Sequence, residues 1–230
     1  MSKQITITID GAAAVGKSTL AELLSEELHY LYLDTGVMYR AATWGALDQH
    51  IEITDEVSVS ELTERLPLII TPPTQNDGRQ CTVLVGEQDI TWEIRSAMVE
   101  KYVSLVSSYP RVRAALTEQQ RTMAQHGAII MAGRDIGTVV LPKADLKIFM
   151  VASAEKRAER RYDELIAKGK TVNYDEILAA IQERDRQDTE KPISPLVPAK
   201  DAVLIDTDQL NIEEVLAEMC DLVDKLVEAG

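Results

Sequence analysis

The sequence predicts an α/β protein: one parallel sheet of five strands, helices on both faces, and a small antiparallel β insertion. Three observations carry that expectation. Short apolar runs of strand length alternate with stretches of helical spacing, the pattern of a parallel sheet covered on two sides. The alternation breaks once, between Leu66 and Arg95, where Leu66-Pro67-Leu68-Ile69-Ile70-Thr71, a turn-rich Pro72 to Gly78 and Cys81-Thr82-Val83-Leu84-Val85 read as a hairpin. The 230 residues, 45% of them apolar, are enough for a sizeable core.

In chain order, Gln4 to Ile9 is the first strand, because Ile5, Ile7 and Ile9 alternate with Thr6 and Thr8. Helical spacing follows from Lys17 to Leu28. Tyr30 to Leu33 has strand length, and Val37 to Leu47 returns to a helical pattern. The hairpin with its flanking helix comes next, then a helix from Arg111 to Gln125. Ala128 to Met131 and Leu146 to Val151 carry the β-branched or aromatic residues of strands. Glu155 to Ala167 and Tyr174 to Arg186 are helical, Ala202 to Ile205 is the fifth strand, and Ile212 to Val227 closes the pattern as a helix. Asn173 with Glu176, and Asn211 with Glu214, have capping-box spacing and fix two helix starts.

Composition narrows the function classes. With 38 acids against 24 bases the net charge is −14, which disfavours binding to nucleic acid or to anionic lipid. No apolar run approaches the roughly 18 residues of a membrane span, so no membrane association is expected. Met1-Ser2-Lys3-Gln4 leads straight into the first strand without an export signal, and a cytoplasmic, monomeric protein is expected. Cys81 and Cys220 read as packing residues, with neither a zinc site nor a disulfide framework indicated. His29, His50 and His126 lack metal-ligand spacing and read as surface or capping residues. Basic charge is nevertheless concentrated locally, with Lys156, Arg157, Arg160 and Arg161 inside six residues, so a small phosphorylated ligand fits.

Gly11-Ala12-Ala13-Ala14-Val15-Gly16-Lys17-Ser18, followed by Thr19, satisfies the phosphate-binding pattern G-x-x-x-x-G-K-[ST]. A glycine-rich turn with a surface lysine would show some of the same letters. Context decides: a strand precedes the motif and an amphipathic helix follows it. Backbone amides from Ala13 to Ser18 would wrap a polyphosphate at the positive end of the helix dipole. Lys17 would reach the β- and γ-phosphates of ATP, and the Ser18 hydroxyl would ligate Mg²⁺.

Two further segments bear on the chemistry. The second strand ends at Leu33-Asp34-Thr35-Gly36, and Tyr39-Arg40 follows one helical turn on, placing a hydroxyl and an arginine for the phosphate of an acceptor. The third strand ends in Gly133-Arg134-Asp135-Ile136-Gly137-Thr138, leaving Arg134 and Asp135 at the carboxyl edge of the sheet, where ligands of open α/β sheets bind. A plain surface ion pair is the competing reading of those two residues.

Together with Pro110-Arg111-Val112-Arg113, Val139-Val140 and the stretch from Glu183-Arg184-Asp185 through Pro195-Leu196, these motifs resemble the bacterial cytidylate kinase family along nearly the whole chain. The resemblance implies phosphoryl transfer from ATP to CMP or dCMP on a nucleoside monophosphate kinase core. It implies a single domain over 1–230, comprising a core (about 1–57, 96–152 and 190–230), an acceptor-binding insertion (about 58–95) and a lid (about 153–189). Thr35 falls near the family's acceptor, Arg40 and Arg134 on its phosphate-binding arginines, and Ser104, Arg113 and Asp135 on its base-reading residues. Arg184 and Asp188 match residues that approach the sugar, and Lys191 stands near the acceptor where the family has an arginine. Arg157, Arg160 and Arg161 fall where its lid closes over ATP. Catalysis would then rest on Lys17, Mg²⁺, Arg40, Arg134, Arg157 and Arg161, with Arg160 on ATP.

The chain departs from the family's pattern at Ala12, usually proline, at Ala132, commonly acidic, and at Lys191, which keeps the charge of an arginine without its bidentate fork. Rival readings are a kinase for UMP, AMP or a non-nucleotide acceptor, a nucleotide-dependent switch, and a nucleic-acid motor. The absence of an N-K-x-D guanine-reading motif counts against a GTPase switch, and the acidic charge against a motor.

Overall fold

The structure is a computed structural model and describes residues 4–125, 127–191 and 193–228. His126 lies outside the described residues. Elements run β1 (Thr6–Gly11), α1 (Lys17–Leu28), β2 (Leu31–Asp34), α2 (Gly36–Asp48), α3 (Glu56–Arg65), β3 (Leu68–Thr71), β4 (Thr82–Val85) and β5 (Gln88–Asp89), then a one-turn 3-10 helix Glu93–Arg95. They continue with α4 (Ala97–Val106), α5 (Pro110–Ala124), β6 (Ile129–Gly133), a π-helical turn Ile136–Val140, β7 (Leu146–Val151), α6 (Ala154–Ala167), α7 (Tyr174–Thr189), β8 (Val203–Asp206) and α8 (Ile212–Glu228).

Two sheets form. The larger is a five-stranded parallel sheet in the order β2-β6-β1-β7-β8, and the smaller an antiparallel sheet in the order β3-β4-β5. The expected hairpin is thus a three-stranded sheet, its third strand the two residues Gln88 and Asp89. Two helices flank the small sheet, α3 before it and α4 after it. The apolar spacing of Val99, Val103 and Val106 buries one face of α4, and the Ser96 hydroxyl caps it by accepting from the Val99 amide.

Chain contacts divide the molecule into two compact units, one of them Asp34–Met123 and the other the chain on either side of it. In the unit that holds the large sheet, strand alternation sorts residues by face. Ile5, just before β1, and Ile7 and Ile9 within it, with Ile130, Ile148 and Met150, face Leu20, Ala21 and Leu24 of α1 and Val215, Met219 and Val223 of α8, all buried. Burying each such side chain is worth about 1.5–3 kcal/mol. Thr8 and Asp10 fall on the other face of the same strand. Asn211 caps α8 in a reciprocal box with Glu214, both bonds 2.9 Å, and the Asn173 side chain accepts from the amides of Asp175 and Glu176 at the start of α7. His29 ends α1 at φ 55, and His50 follows α2 at the same φ.

In the unit Asp34–Met123, α2 packs against α3, α4 and the 3-10 turn. Its small sheet is tied by one buried guanidinium. Arg79, its side chain 3% exposed, forks onto Asp77 at 2.8 and 2.7 Å and reaches Asp89 at 2.6 Å, while the Trp92 indole donates to Asp77 at 2.9 Å. Those bonds hold both carboxyls below the usual range. Cys81 and Cys220 form no disulfide among the described residues, and no helix among those residues is long and apolar enough to cross a membrane.

Candidate active site

The phosphate-binding motif occupies the turn from β1 into α1. Gly11 sits at φ 153, where a Cβ would lie 2.5 Å from the Met150 carbonyl oxygen, so the loop can lie against β7 only with glycine there. Ala12, Ala13 and Ala14 form its crest, and Ala14 adopts φ 61. Val15 is buried beneath the loop, and Gly16 (φ 98, ψ 5) turns the chain into the helix. Lys17, Ser18 and Thr19 open α1, at the positive end of the helix dipole. The Lys17 ammonium donates to the Ala12 carbonyl at 2.6 Å, folding back over the loop.

Beside this loop, β6 pairs with β1 so that Gly133 lies opposite Asp10. Arg134 and Asp135 follow at once, and the π-helical turn then begins. Asp135 is buried, and its backbone carbonyl accepts from the Val139 and Val140 amides. The residue that organises this corner is Asp10, which the sequence motifs do not single out. It is 4% exposed, and its carboxylate accepts from the Ile136 amide at 2.9 Å and the Gly137 amide at 2.7 Å. Burial pushes its pKa up to about 6 against those two amide bonds; the charge of Asp135 raises it further and that of Lys17 lowers it.

Helix α7 brings Arg184 and Asp188, and the segment just after it Lys191, to Arg134. Asp188, 1% exposed, accepts from Arg134 and from Lys191 at 3.0 Å, and Arg184 stands 3.6 Å away. Burial alone would raise the Asp188 pKa, but the charges of Arg134, Lys191 and Arg184 outweigh it and hold the group ionised below the usual range. The three cations thus form a positive cluster around one carboxylate, with the side chains of Arg134 and Arg184 still about a quarter to a third exposed (31% and 27%). In this structure the Asp188 oxygens are taken by cations.

The three arginines at the start of α6 separate. Arg157 is buried and forks onto Asp185 of α7 at 2.9 and 2.5 Å while donating to the Ala13 carbonyl of the phosphate loop at 3.1 Å. Arg160 holds the hydroxyl and carbonyl of Thr207 after β8. Arg161 is exposed, paired with Glu164 at 2.8 Å. A shallow pocket between the loop and α7 is lined by Ala12, Phe149, Val151, Asp185, Thr189 and Leu196.

Thr35, Arg40, Ser104 and Arg113 belong to the other unit. Thr35 is buried just before α2, and the Asp34 carboxylate accepts from the Gly36 amide at 2.9 Å. Arg40 pairs with Glu100 at 2.5 Å and donates to the Ile94 carbonyl. Arg113 lies 5.7 Å over the Tyr39 ring and donates to the Ser107 carbonyl at 3.3 Å; the Ser107 hydroxyl in turn donates to the carbonyl of Ser104 on α4 at 2.9 Å.

No group of three or more His, Cys, Asp or Glu that could hold a metal ion occurs among the described residues. The Ser18 hydroxyl at the helix start fits a hard cation that arrives with a polyphosphate, because Mg²⁺ keeps several waters and takes few protein ligands.

Residues 7–225 match the family model described as Cytidylate kinase. The cytidylate kinase of Bacillus velezensis is 44% identical over 227 residues, covering 98% of this chain and 99% of that protein. That of Carboxydothermus hydrogenoformans is 45% identical over 219 residues, covering 95% and 97%. Among solved structures, an uncharacterized protein from Eubacterium ventriosum aligns with a TM-score of 0.54 at 11% identity, covering 97% of this chain and 99% of that one, a likeness of fold alone.

Proposed function

Because the chain belongs to the cytidylate kinase family, we propose that it transfers the γ-phosphoryl group of ATP to CMP or dCMP, giving ADP and CDP or dCDP. The observation that carries this reading is that the phosphate loop and the Arg134–Asp135 turn leave the carboxyl ends of two paired strands, β1 and β6. Residues 11–19 bind ATP, with Arg160 on the same nucleotide. Ser18 would hold Mg²⁺, which when bound neutralises the charge of the polyphosphate during transfer. The attacking acceptor oxygen is already ionised at neutral pH, so no general base and no covalent intermediate are needed. Lys17, Arg40, Arg134 and Arg161 surround the transferring group with positive charge. Arg157 belongs with them; its bond to the Ala13 carbonyl supports a part in holding the loop to shape.

Acceptor recognition follows from donor and acceptor patterns. Cytosine presents an N4 amino donor beside the N3 and O2 acceptors, so its reader needs a carboxylate and two donors. Asp135, Arg113 and Ser104 are that set, and uracil, with the pattern reversed, would leave them unpaired. Thr35, Arg184, Asp188 and Lys191 complete the acceptor residues; the cation cluster on Asp188 supports a phosphate or sugar contact there. We assign acceptor binding to the insertion at about 58–95 and lid closure to about 153–189. A cytoplasmic monomer, with neither nucleic acid nor membrane as partner, is in keeping with the net charge of −14.

A coupled phosphotransfer assay with CMP, dCMP, UMP and AMP tests the reading. CMP and dCMP should turn over, and UMP turning over as well as CMP would sink the base-reading argument. Asp135→Ala should lower the ratio of CMP to UMP turnover by about tenfold or more while leaving ATP affinity little changed.

A further inference from the structure

Asp10 is the one buried carboxylate at this corner that no step above uses. Its backbone lies opposite Gly133 in the β1–β6 ladder, and its side chain reaches past the end of the ladder to the amides of Ile136 and Gly137, 126 and 127 residues away in sequence. Arg134 and Asp135 are therefore held between two anchorages made by a single residue. That residue also precedes Gly11 and so carries the phosphate loop. We propose that Asp10 is a positioning residue for acceptor recognition, its carboxylate latching the turn that bears Arg134 and Asp135 to the strand that bears the phosphate loop. The inference rests on the reading of Arg134 and Asp135 as acceptor-binding.

A second observation, at the far side of the latch, points the same way. A Cβ on Gly137 would stand 3.0 Å from the Thr8 hydroxyl and 3.3 Å from both the Asp10 carboxylate and the Lys147 side chain. Glycine is what allows the amide to approach the carboxylate this closely. Lys147 itself is turned away, to the Pro142 carbonyl and Asp201, so the charge of Asp10 is met by the two amides rather than by an ion pair with that lysine. A buried carboxylate satisfied by backbone amides fixes geometry, because the amides cannot move without leaving it unsolvated.

Asp10→Asn keeps the shape but turns an amino group toward one of the two amides, so one bond is lost and a donor meets a donor. Gly137→Ala pushes the latch apart without altering any charge. In both variants the KM for CMP should rise about tenfold and the CMP-over-UMP preference should fall about tenfold, with the Kd for ATP within about threefold of wild type. A residue that merely held the fold together would lower the melting temperature without moving the CMP-to-UMP ratio. In the wild-type protein, the Ile136 and Gly137 amides should be strongly protected from hydrogen exchange by NMR. Rapid exchange of both amides overturns the latch even if neither variant folds. A CMP-to-UMP ratio within about twofold of wild type in folded variants overturns the positioning role, as does an equal loss of ATP affinity. A wild-type protein that phosphorylates neither CMP nor dCMP overturns instead the functional reading, and the acceptor role of the latch with it.

Discussion

Ala14 stands at φ 61, where a Cβ is crowded by its own carbonyl at a cost of about 1–2 kcal/mol. Glycine escapes that crowding but brings a more flexible unfolded chain. Ala14→Gly should accordingly stabilise the protein by about 0.5–1 kcal/mol, read as a higher urea midpoint at unchanged slope. No gain would show that the loop is unstrained at this residue. Asp10 offers a second measurement. With its pKa raised from 3.8 to about 6, the folded state keeps a proton that the unfolded state has already lost between those values. The contribution of Asp10 to stability is thus fully present below about pH 4 and declines as pH rises through 6, by about 3 kcal/mol in all. The groups acting on its charge are Asp135, Lys17 and the two amides. Denaturation of wild type and Asp10→Asn at pH 4 and pH 7 should show the difference moving in the variant's favour on going to neutral pH. The loop itself was legible from its glycines, lysine and serine. Asp10 was not, because a lone aspartate after a strand reads as turn, and only the distant pairing of β1 with β6 brings the amides to it.

At the scale of elements, α6 and α7 pack together, and Arg157 fastens both to the phosphate loop. Arg157→Ala would leave Asp185 without its bidentate partner and the Ala13 carbonyl without its donor. A loss of about 3 kcal/mol in chemical denaturation and a raised KM for ATP are expected, and a variant as stable as wild type would mean that α6 is held by other contacts. The sequence showed a cluster of arginines at this helix start but not their division of labour, since only the helix phase sends Arg157 inward, Arg160 to Thr207 and Arg161 to solvent. Elsewhere legibility followed length and periodicity. The start and end of α1 were readable because a strong motif starts the helix and its apolar spacing persists to Leu28. The strand β5 was not, being two residues long. In α4 the apolar period was present at Val99, Val103 and Val106, and the adjoining insertion obscured it.

For the molecule as a whole, the net charge of −14 acts against compactness. Raising ionic strength from about 20 to 200 mM should therefore raise the melting temperature by a few degrees, and a fall would mean that specific ion pairs outweigh the general repulsion. The two sheets would answer such conditions differently. The large one rests on a layer of isoleucine and methionine packed under α1 and α8, and Asp10 on its other face adds stability as pH falls, so acid does not loosen it. The small one has a guanidinium for its mortar: Arg79 bonds Asp89 of β5, the Thr82 hydroxyl of β4 and Asp77 in the turn between β3 and β4, while Ile69 of β3 is half-exposed. Acid, or guanidinium ions from solution competing for the same carboxylates, would dissolve that mortar first and leave the greasy layer standing.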